Sequence, residues 1–506
     1  MPVVSYVEAV ARHAEQRPDE HAIVFVTATG AEQAVSWHEL DAWSSRLARV
    51  LVQRGLGPGG LLTVALANAP IHTALTLAAW KAGAAVLPLS ARMPVGERRR
   101  ILDVAARRWR IVQVARAPVS GHDHVPISEL EPARPGASTP LAAPDLAVAD
   151  LPDPGIVVTS GGSTGQPKLI VNAGKPVEPV AVDGRVAGLG GALGMRPGQV
   201  QLVACPLFHG GPVSWSLRGL CHGHTLVLME RFDAGQALGL MERHRVSWAF
   251  LVPTMLRRMA AHDRFHQVDL SAVDAVWTAS APCPPEVIRA WIGRLGPERF
   301  MQAYGGSEAA GHTVVTGAEW LARPGTVGRP VPRWQVSIRD PDGHGLPVGE
   351  VGRIYFRRTD GSPALFDYVG SDVDRLAGSW VGLGDLGHVD GDGYLYIADR
   401  RTDLIISGGA NIYPSEVEHV LLGHPRVRDA VVVGIPDPDL GKRAHALVVA
   451  TGVTVVELRE HCERQLASYK VPRSFELADQ LPRDEFGKIR RSGVAAAYAP
   501  NAGSRS

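Results

Sequence analysis

The chain has 506 residues, 45% of them hydrophobic and 20% charged, which is an ordinary globular composition. This length exceeds what one hydrophobic core serves and predicts several domain-sized units. The 52 basic and 51 acidic residues leave a net charge of +1, so no general electrostatic field attracts nucleic acid or an anionic membrane. The expected partners are therefore small molecules that are recognised locally, with no nucleic acid among them.

The cysteines and the hydrophobic segments predict a reduced, cytoplasmic protein without membrane insertion. The four cysteines show no C-x-x-C spacing, which argues against a zinc site or a disulfide framework. The N-terminal segment has early acidic residues and lacks the apolar core of a secretion signal. Polar residues interrupt the hydrophobic stretch from Leu61 to Leu89, which predicts a buried strand, a helix and a second strand.

Up to about residue 300, short β-branched runs alternate with helical patterns, as parallel strands joined by crossover helices do. Predicted strands include residues 62–66, 156–158, 225–228 and 275–277. Predicted helices include residues 38–54, with apolar residues at helical spacing, and residues 234–245. Residues 118–153 are rich in proline and alanine, which predicts a surface connection.

From about residue 325 to residue 398, short strands between glycine turns predict an antiparallel subdomain. The charged run from Asp399 to Asp403 then separates two apolar strands and marks a boundary. The predicted fold is α/β: a large N-terminal domain (1–398) of parallel αβ-layered sheets with an antiparallel β subdomain, and a small mobile α+β domain (399–506). In the small domain, Ser415 and Glu418 predict a capping box that begins a helix over 416–422.

Residues 159–168 read Thr-Ser-Gly-Gly-Ser-Thr-Gly-Gln-Pro-Lys, a composition suited to holding phosphate. The glycines let backbone N–H groups converge on an anion, hydroxyls add donors and Lys168 adds charge. The usual nucleotide P-loop pattern is absent. Two other interpretations stay open: a flexible surface turn, and the Gly-x-Ser-x-Gly elbow of serine hydrolases with Ser163 as nucleophile. Pro167 and the extended residues after it give little support to the helix that such an elbow needs.

Nine further segments, together with this loop, resemble the adenylate-forming superfamily of acyl-CoA synthetases, nonribosomal adenylation domains and luciferases. The resemblance covers essentially the whole chain. No single segment is specific, but the complete ordered set is. The segments are residues 206–211 (PLFHGG), 280–282 (SAP), 304–308 (YGGSE), 326–330 (TVGRP), 384–387 (GDLG), 399–400 (DR), 407–409 (SGG), 469–472 (YKVP) and 487–488 (GK).

The resemblance implies an enzyme that activates a carboxylate with ATP and Mg²⁺. Tyr304 would stack on adenine, and Asp385 would accept both ribose hydroxyls. Ser307 would contact phosphate, while Glu308 and Thr164 would hold Mg²⁺. The other implied nucleotide contacts are Ser160, Gly162, Ser163, Gly165, Lys168, Ser280, Ala281, Pro282, Gly305 and Arg400.

The resemblance also implies roles for the C-terminal domain. Lys488 would stabilise the charges on the substrate carboxylate and the nucleotide during adenylation. The domain would then rotate about the hinge Asp399, so that a thiol attacks the adenylate. The candidate CoA contacts are Ser407, Gly408, Gly409, Lys442 and Arg443.

The acyl pocket is the least defined part of the resemblance. His209 would stand where the pocket meets the thiol tunnel and gate the acyl site. The candidate lining residues are Trp215, Trp248, Val252, Gly210 and Gly306. Space beside the glycines is compatible with a bulky polycyclic, terpenoid or steroid-like acid, and equally with a fatty chain.

The main functional prediction is an acyl-CoA synthetase that forms acyl-CoA, AMP and pyrophosphate from a hydrophobic acid, ATP and CoA. Gly161, Leu169 and Leu383 depart from the family pattern near ATP, which keeps an enzyme specialised for thioesterification of a pre-formed adenylate as an alternative. Further alternatives are the loading of an acyl carrier protein, a serine hydrolase and a nucleotide-binding protein without turnover. A dinucleotide fingerprint at residues 382–387 is rejected because turn and strand follow it. Oligomeric state, a homodimer included, is left open.

Overall fold

A computed structural model describes residues 3–130, 155–160, 168–172, 177–179, 186–364, 366–483, 489 and 491–498. The helices are α1 (Tyr6–Gln16), α2 (Trp37–Gln53), α3 (Pro70–Lys81), α4 (Val95–Ala105), α5 (Ile127–Leu130), α6 (Gly188–Ala192), α7 (Gly210–Cys221), α8 (Ala234–Arg243), α9 (Pro253–Ala260), α10 (Pro285–Leu295), α11 (Gly317–Ala322), α12 (Pro414–Leu422), α13 (Val455–Glu463) and α14 (Arg491–Ala496).

The strands are β1 (Val3–Ser5), β2 (His21–Val26), β3 (Glu32–Ser36), β4 (Gly60–Ala65), β5 (Ala85–Pro88), β6 (Arg110–Ala115), β7 (Asp123–His124), β8 (Val157–Ser160), β9 (Lys168–Asn172), β10 (Val177–Pro179), β11 (Val200–Val203), β12 (Thr225–Met229), β13 (Trp248–Phe250), β14 (Ala275–Thr278), β15 (Phe300–Gly305), β16 (His312–Thr316), β17 (Arg329–Pro330), β18 (Trp334–Arg339), β19 (Gly352–Arg358), β20 (Phe366–Val369), β21 (Arg375–Leu376), β22 (Trp380–Val389), β23 (Leu395–Arg400), β24 (Ile405–Ser407), β25 (Ala410–Ile412), β26 (Val427–Asp437), β27 (Gly441–Ala450) and β28 (Ser474–Leu477).

The largest sheet has nine strands in the order β17-β16-β15-β14-β13-β11-β12-β2-β3. Its central strands, β15 through β2, run parallel, while the strands at both edges pair antiparallel. Parallel strands need crossover connections, and α7 to α10 supply them between successive strands. The carboxyl ends of β11, β13, β14 and β15 therefore meet at one edge, where such sheets usually bind ligands.

Four smaller sheets surround this one, together with the pair β1-β10. The strands β5, β4, β6 and β7 form a parallel sheet, and β20, β9 and β8 form an antiparallel one. The strands β18, β19, β21, β22 and β23 form the predicted antiparallel unit. The C-terminal sheet contains β24 to β28 and packs against α12, α13 and α14. These sheets confirm the predicted α/β class.

The sequence patterns located most elements within a few residues. The hydrophobic stretch from Leu61 to Leu89 contains β4, α3 and β5 as expected, with α3 buried along its whole length. No helix in the described part of the chain is long and apolar enough to cross a membrane. The four cysteines are free, and three of them are buried. Most of the predicted surface connection, residues 131–154, lies outside the described residues.

The predicted capping box at Ser415 and Glu418 is wrong. Helix α12 begins at Pro414 and ends at Leu422. Its N-cap residue is Tyr413, whose side chain makes no capping hydrogen bond. The Ser415 hydroxyl instead donates to the Ala398 carbonyl and to Asp399, and Glu418 binds Arg491. Both side chains connect α12 to other elements: the Glu418 carboxylate, only 13% exposed, has Arg491 as its charged partner, and Ser415 contacts β23.

Candidate functional site

A tyrosine and a carboxylate form the centre of the candidate nucleoside site. Tyr304 lies near the end of β15, and its hydroxyl donates to the Asp385 carboxylate on β22 at 2.6 Å. The Nε of Arg400 lies 3.4 Å from the other carboxylate oxygen. Burial raises the pKa of Asp385, while Arg400 and the Tyr304 hydrogen bond act in the opposite direction. A carboxylate held between these donors can accept two hydroxyls of a ribose.

The segment from residue 382 to 387 lies within β22, and no helix follows it before β23. The rejection of a dinucleotide fingerprint is therefore confirmed. Gly384 has φ of +84°, a conformation that favours glycine, and the residue precedes Asp385. The Gly384 carbonyl accepts a hydrogen bond from the Arg401 backbone N–H at 2.9 Å. This bond attaches the chain after β23 to β22.

A second cluster lies next to the first and combines a cation with a carboxylate. The Tyr368 hydroxyl on β20 donates to Glu308 at 2.7 Å, and the Lys168 ammonium lies 3.9 Å from the centre of the Tyr368 ring. Burial lowers the pKa of Lys168, Glu308 raises it and Arg400 lowers it. An anionic ligand would offset the cost of burying this ammonium.

The Glu308 carboxylate fits one side of a Mg²⁺ site. Mg²⁺ in nucleotide enzymes is usually held by one or two protein carboxylates together with substrate phosphates. The Tyr368 hydroxyl fixes one Glu308 oxygen, and the other oxygen lies beside Gly306. The second predicted metal residue, Thr164, lies outside the described residues.

The strand pair β8 and β9 presents the phosphate loop. Ser160 pairs with Lys168, so the predicted loop joins the two ends of an antiparallel hairpin. Its residues 161–167, which include Gly162, Ser163, Thr164 and Gly165, lie outside the described residues. Because β9 begins at Lys168, too few residues follow Ser163 for the helix of a hydrolase elbow. This strand argues against the serine hydrolase interpretation.

Two non-glycine residues near these clusters have positive φ angles. Ser280 follows β14 with φ of +78°, and Ala309 follows Glu308 with φ of +51°. Ser280, Ala281 and Pro282 are exposed at the carboxyl edge of the large sheet, as expected for ligand contacts. Ser307 contributes a backbone carbonyl that accepts a hydrogen bond from the Asn172 side chain at 3.1 Å. Strained residues of this kind concentrate at functional sites.

Glycines begin α7, the helix that follows the carboxyl end of β11. A Cβ atom at Gly210 would meet Val158 at 2.9 Å, and one at Gly211 would meet the Phe250 ring at 3.6 Å. His209 is the N-cap residue of α7, and its ring lies 4.2 Å from that of Phe208. The predicted gate and the predicted small residues thus lie together at the carboxyl end of β11.

Aromatic rings continue from this point along the same face of the sheet. Phe250 and Trp277 pair in register and stack with 4.3 Å between ring centres. Trp215 on α7 packs edge-on against Trp277 at 4.9 Å. The Trp277 Nε1–H is buried without a hydrogen-bond partner. Trp248 and Val252 are fully enclosed in the hydrophobic core, so their predicted role in lining the pocket stays a prediction.

Neighbouring side chains occupy the space that a side chain at position 305 or 306 would need. Gly305 pairs with His312 across β15 and β16, and a Cβ atom there would lie 2.5 Å from the imidazole. Burial lowers the pKa of His312 to about 4, so the ring is neutral near neutral pH. A Cβ atom at Gly306 would collide with the Glu308 carboxylate. These contacts keep the chain between Tyr304 and Glu308 close to the sheet.

The candidate CoA residues of the C-terminal unit lie together on two paired strands. Ser407 pairs with Gly441, and the Gly408 N–H donates to the Leu440 carbonyl at 3.0 Å. The φ angles of Gly408 and Gly409, +56° and +83°, are those of the turn between β24 and β25. Lys442 and Arg443 follow on β27, where Arg443 lies 4.0 Å from Asp437. A role in binding CoA stays a prediction.

Asp399 connects the two parts of the chain. It lies in β23 paired with Leu386, and its carboxylate accepts hydrogen bonds from the backbone N–H of Arg400 and from Ser415. The side chain therefore joins the last strand of the antiparallel unit to the start of α12. The hinge and the boundary at residue 399 stay predictions. Lys488, the predicted adenylation lysine, lies outside the described residues.

Sequence reasoning missed Tyr368, Asn172, His312 and Phe250. Tyr368 and Asn172 reach the site because β20 pairs with β9, a contact between distant segments that no local pattern shows. His312 lies opposite Gly305 through the β15–β16 register. Only Phe250, among these four, could have been found from the local sequence. It lies in an apolar run two residues before Val252, which was predicted to line the pocket.

Comparison with known protein families agrees with this geometry. Residues 10–362 match the AMP-binding enzyme family, and residues 416–488 match the AMP-binding enzyme C-terminal domain. The chain belongs to the AMP-binding enzyme family. The predicted membership of the adenylate-forming superfamily is thereby confirmed, together with the predicted class of AMP-forming ligase.

Several relatives of this AMP-binding enzyme are CoA ligases. A feruloyl-CoA synthase from Amycolatopsis sp is 33% identical over 472 residues, which cover 91% of this chain and 93% of the relative. An o-succinylbenzoate CoA synthetase from Bacillus subtilis, solved with its acyl-adenylate intermediate, has a TM-score of 0.80 at 25% identity, covering 98% of each chain. An amide bond synthetase from Marinactinospora thermotolerans has a TM-score of 0.76 at 27% identity, covering 98% of this chain and all of the other.

Proposed function

We propose that this enzyme is an acid–CoA ligase that works through an acyl-adenylate and takes aromatic carboxylic acids. One observation carries the proposal: the Tyr304–Asp385 pair, suited to a nucleoside, adjoins the Lys168–Tyr368–Glu308 cluster, suited to phosphates and a metal. Both clusters lie at the carboxyl edge of the large sheet. The aromatic residues beside α7 lie on β13 and β14, which follow β15 in the sheet, so an acid there would reach the same edge.

The first half-reaction joins the acid to the nucleotide. A carboxylate oxygen of the acid attacks the α-phosphorus of ATP, the bond to the β-phosphate bridging oxygen breaks, and pyrophosphate leaves with its electron pair. Tyr304 and Asp385 position the nucleoside, and Lys168 neutralises phosphate charge. Mg²⁺ held by Glu308 would supply further charge neutralisation at the phosphates. Lys488 would act beside the reacting oxygens.

The second half-reaction transfers the acyl group to a thiol. The CoA sulfur attacks the adenylate carbonyl, the acyl–oxygen bond to phosphate breaks, and AMP leaves. The acceptor is the thiolate, so the thiol proton passes to solvent. The Ser407–Gly409 turn and the adjoining Lys442 and Arg443 support CoA as the acceptor, because they combine exposed backbone with positive charge on one edge.

The aromatic class of acid is supported by the rings beside α7. Phe250, Trp277 and Trp215 pack together in the buried core beside the start of α7, and Gly211 lies next to the Phe250 ring, so an acyl group inserted there would meet aromatic surface. Aromatic ligands gain offset or edge-on contacts with such rings beyond simple burial. The unpaired Trp277 Nε1–H would favour a ring that carries an acceptor oxygen, since a buried donor without a partner costs stability.

A substrate panel tests the proposal directly. Pyrophosphate release would be measured with benzoate, cinnamate, hydroxycinnamates, octanoate and a steroid acid, and thioester formation with CoA, pantetheine or an acyl carrier protein. We expect the highest kcat/KM with hydroxycinnamates and CoA. A preference for octanoate or the steroid acid would contradict the aromatic class, and pyrophosphate release without any thioester would contradict the CoA acceptor. Thioester formation from synthetic adenylates without pyrophosphate release would favour the specialised second-step enzyme.

A further inference from the structure

A buried glutamine attaches helix α7 to the large sheet. Gln201 on β11 is only 2% exposed, and its Nε2 donates to the Trp215 backbone carbonyl on α7 at 3.2 Å. Gln201 pairs with Trp248 across β11 and β13, so its side chain lies on the face of the sheet that also carries Phe250 and Trp277. The bond therefore joins α7 to this face at Trp215, whose ring packs edge-on against Trp277.

A glycine inside α7 makes room for this bond. Gly219 lies about one helical turn after Trp215, and a Cβ atom at Gly219 would lie 2.0 Å from Gln201 Oε1. Glycine within a helix lowers stability relative to alanine. The space that the Gln201 amide occupies gives a physical reason for a glycine at this position.

A buried histidine contacts the oxygen side of the same amide. His224 is fully buried, and its Nδ1 lies 3.2 Å from Gln201 Oε1, while its Nε2 lies 2.7 Å from the Arg196 carbonyl oxygen. The His224 backbone N–H donates to the Gly219 carbonyl at 2.8 Å, just beyond the end of α7. The histidine thus connects the carboxyl end of α7 with the amide that holds the middle of the helix.

We propose that Gln201, together with Gly219 and His224, sets the position of Trp215 and thereby the preference of the acyl site for ring-bearing acids. The inference rests on the proposed aromatic acyl site. Gln201 and His224 are positioning residues, because they act through the backbone of α7. The interior is closely packed, so a small displacement of this helix would change the aromatic surface that Trp215 and Trp277 form together.

Substrate preference distinguishes positioning from a general structural role. Gln201→Leu removes the amide and keeps a side chain of similar size. We expect the ratio of kcat/KM for a hydroxycinnamate to that for octanoate to fall roughly threefold to tenfold, with the KM for ATP little changed. Gln113→Leu is the matched control, because Gln113 is also 2% exposed and its amide binds the Val119 backbone in a different sheet. An unchanged ratio in Gln201→Leu, or the same change in Gln113→Leu, would overturn the proposal.

A substitution on the helix tests the same contact from the other side. The methyl group of Gly219→Ala would displace the Gln201 amide, so we expect a similar fall in the ratio. Gly293→Ala is the control, since Gly293 also lies inside a helix, α10, and its Cβ position is open. In a Gln201→Ala background, which vacates the space, Gly219→Ala should change the ratio by less than about twofold. A full additional loss in that background would contradict the proposal.

A spectroscopic readout tests the positioning without substrate. The full chain would be labelled with 5-fluorotryptophan, and the ¹⁹F resonance of Trp215 assigned with a Trp215→Phe variant. We expect this resonance to shift in Gln201→Leu and Gly219→Ala and to stay in place in Gln113→Leu and Gly293→Ala. An unchanged Trp215 resonance in the first two variants would overturn the proposal. Failure of every acid in the substrate panel would instead overturn the proposed function, and the resonance would still decide whether Gln201 positions Trp215.

Discussion

At the scale of single residues, the site depends on carboxylates whose oxygens are fixed by tyrosine hydroxyls. Tyr304 fixes Asp385, and Tyr368 fixes Glu308, with donor–acceptor distances of 2.6 and 2.7 Å. Such charge-assisted hydrogen bonds are among the stronger ones in proteins. Each tyrosine holds one carboxylate oxygen, and the exposed Arg400 lies beside the second oxygen of Asp385. The ribose hydroxyls and a Mg²⁺ ion would therefore meet preoriented carboxylate oxygens.

Replacing Asp385 by asparagine separates ligand binding from stability. Burial raises the pKa of Asp385 above its unfolded value. Its ionisation therefore opposes folding, with no cost below the unfolded pKa and the full cost above the folded pKa. Near neutral pH we expect Asp385→Asn to be at least as stable as the parent, with an advantage that shrinks as pH falls through the folded pKa. ATP affinity should fall roughly tenfold or more, because an amide is a weaker acceptor than a carboxylate.

Thermal unfolding at neutral and acidic pH, together with calorimetric titration of ATP, checks both parts of this prediction. The exposed Arg400 contributes little to stability, so its lost ion pair should not hide the effect. A variant that is less stable at neutral pH but binds ATP normally would show that Asp385 is a structural residue.

Tyr368 has two separable contributions. Tyr368→Phe removes the hydroxyl from Glu308 and keeps the ring under Lys168, whereas Tyr368→Leu removes both contacts. We expect the phenylalanine variant to release pyrophosphate roughly tenfold more slowly and to need more Mg²⁺, because Glu308 loses its orienting donor. The leucine variant should lose a further roughly twofold to fivefold through the cation–π contact.

The matched control for Tyr368 is Tyr396→Phe, which removes a tyrosine–carboxylate hydrogen bond to Asp390 outside the candidate site. Pyrophosphate release would be followed over a range of Mg²⁺ concentrations. Equal effects at positions 368 and 396, or an unchanged Mg²⁺ requirement at position 368, would remove Tyr368 from the site.

At the scale of elements, the site is assembled where strand ends meet helix starts. The start of α7 lies against β8 through Gly210 and against β13 through Gly211. Periodicity predicted the parallel strands and the helices, because burial on one face leaves a regular pattern. It could not predict the pairing of β20 with β9, which brings Tyr368 to Lys168 from distant parts of the chain. Nor could it predict that Ser415 and Glu418 make tertiary contacts instead of a cap.

Alanine substitutions at the two adjacent glycines of α7 are expected to change the melting temperature differently. Alanine at either position restricts the unfolded chain, which favours folding by about 0.4–1 kcal/mol where the native backbone accepts it. At Gly210 the new methyl group would lie 2.9 Å from Val158, so we expect Gly210→Ala to lower the melting temperature. At Gly211 it would make an ordinary contact with Phe250 at 3.6 Å, so the fold should be kept or slightly stabilised. Gly211→Ala should nevertheless reduce kcat/KM for ring-bearing acids more than for short ones.

Melting temperatures and the substrate panel measure both effects. Each glycine variant serves as the control for the other, since they share the helix and the substitution. If Gly211→Ala lowered kcat/KM equally for all acids, the space beside Phe250 would not belong to the acyl site.

At the scale of the whole molecule, strands of three different sheets contribute side chains to the candidate site. The order of motifs along the chain predicted the family, the fold class and the enzyme class, because these depend on many short segments together. The substrate could not be predicted in the same way. Its surroundings combine α7, β13, β14 and β15, whose side chains meet only after folding. The contacts of Asp429 with Arg257 and Arg483 could not be predicted either, since these residues lie far apart in the sequence.

Oxygen transfer from the acid to AMP shows directly whether the reaction proceeds through an acyl-adenylate. The enzyme would be incubated with ATP, CoA and an aromatic acid labelled with ¹⁸O in its carboxylate, and the nucleotide product analysed by mass spectrometry. We expect AMP that carries one ¹⁸O atom. The carboxylate oxygen that attacks phosphorus stays on AMP when the thiol attacks the acyl carbon and AMP leaves. Unlabelled AMP, or ADP as the product, would contradict it.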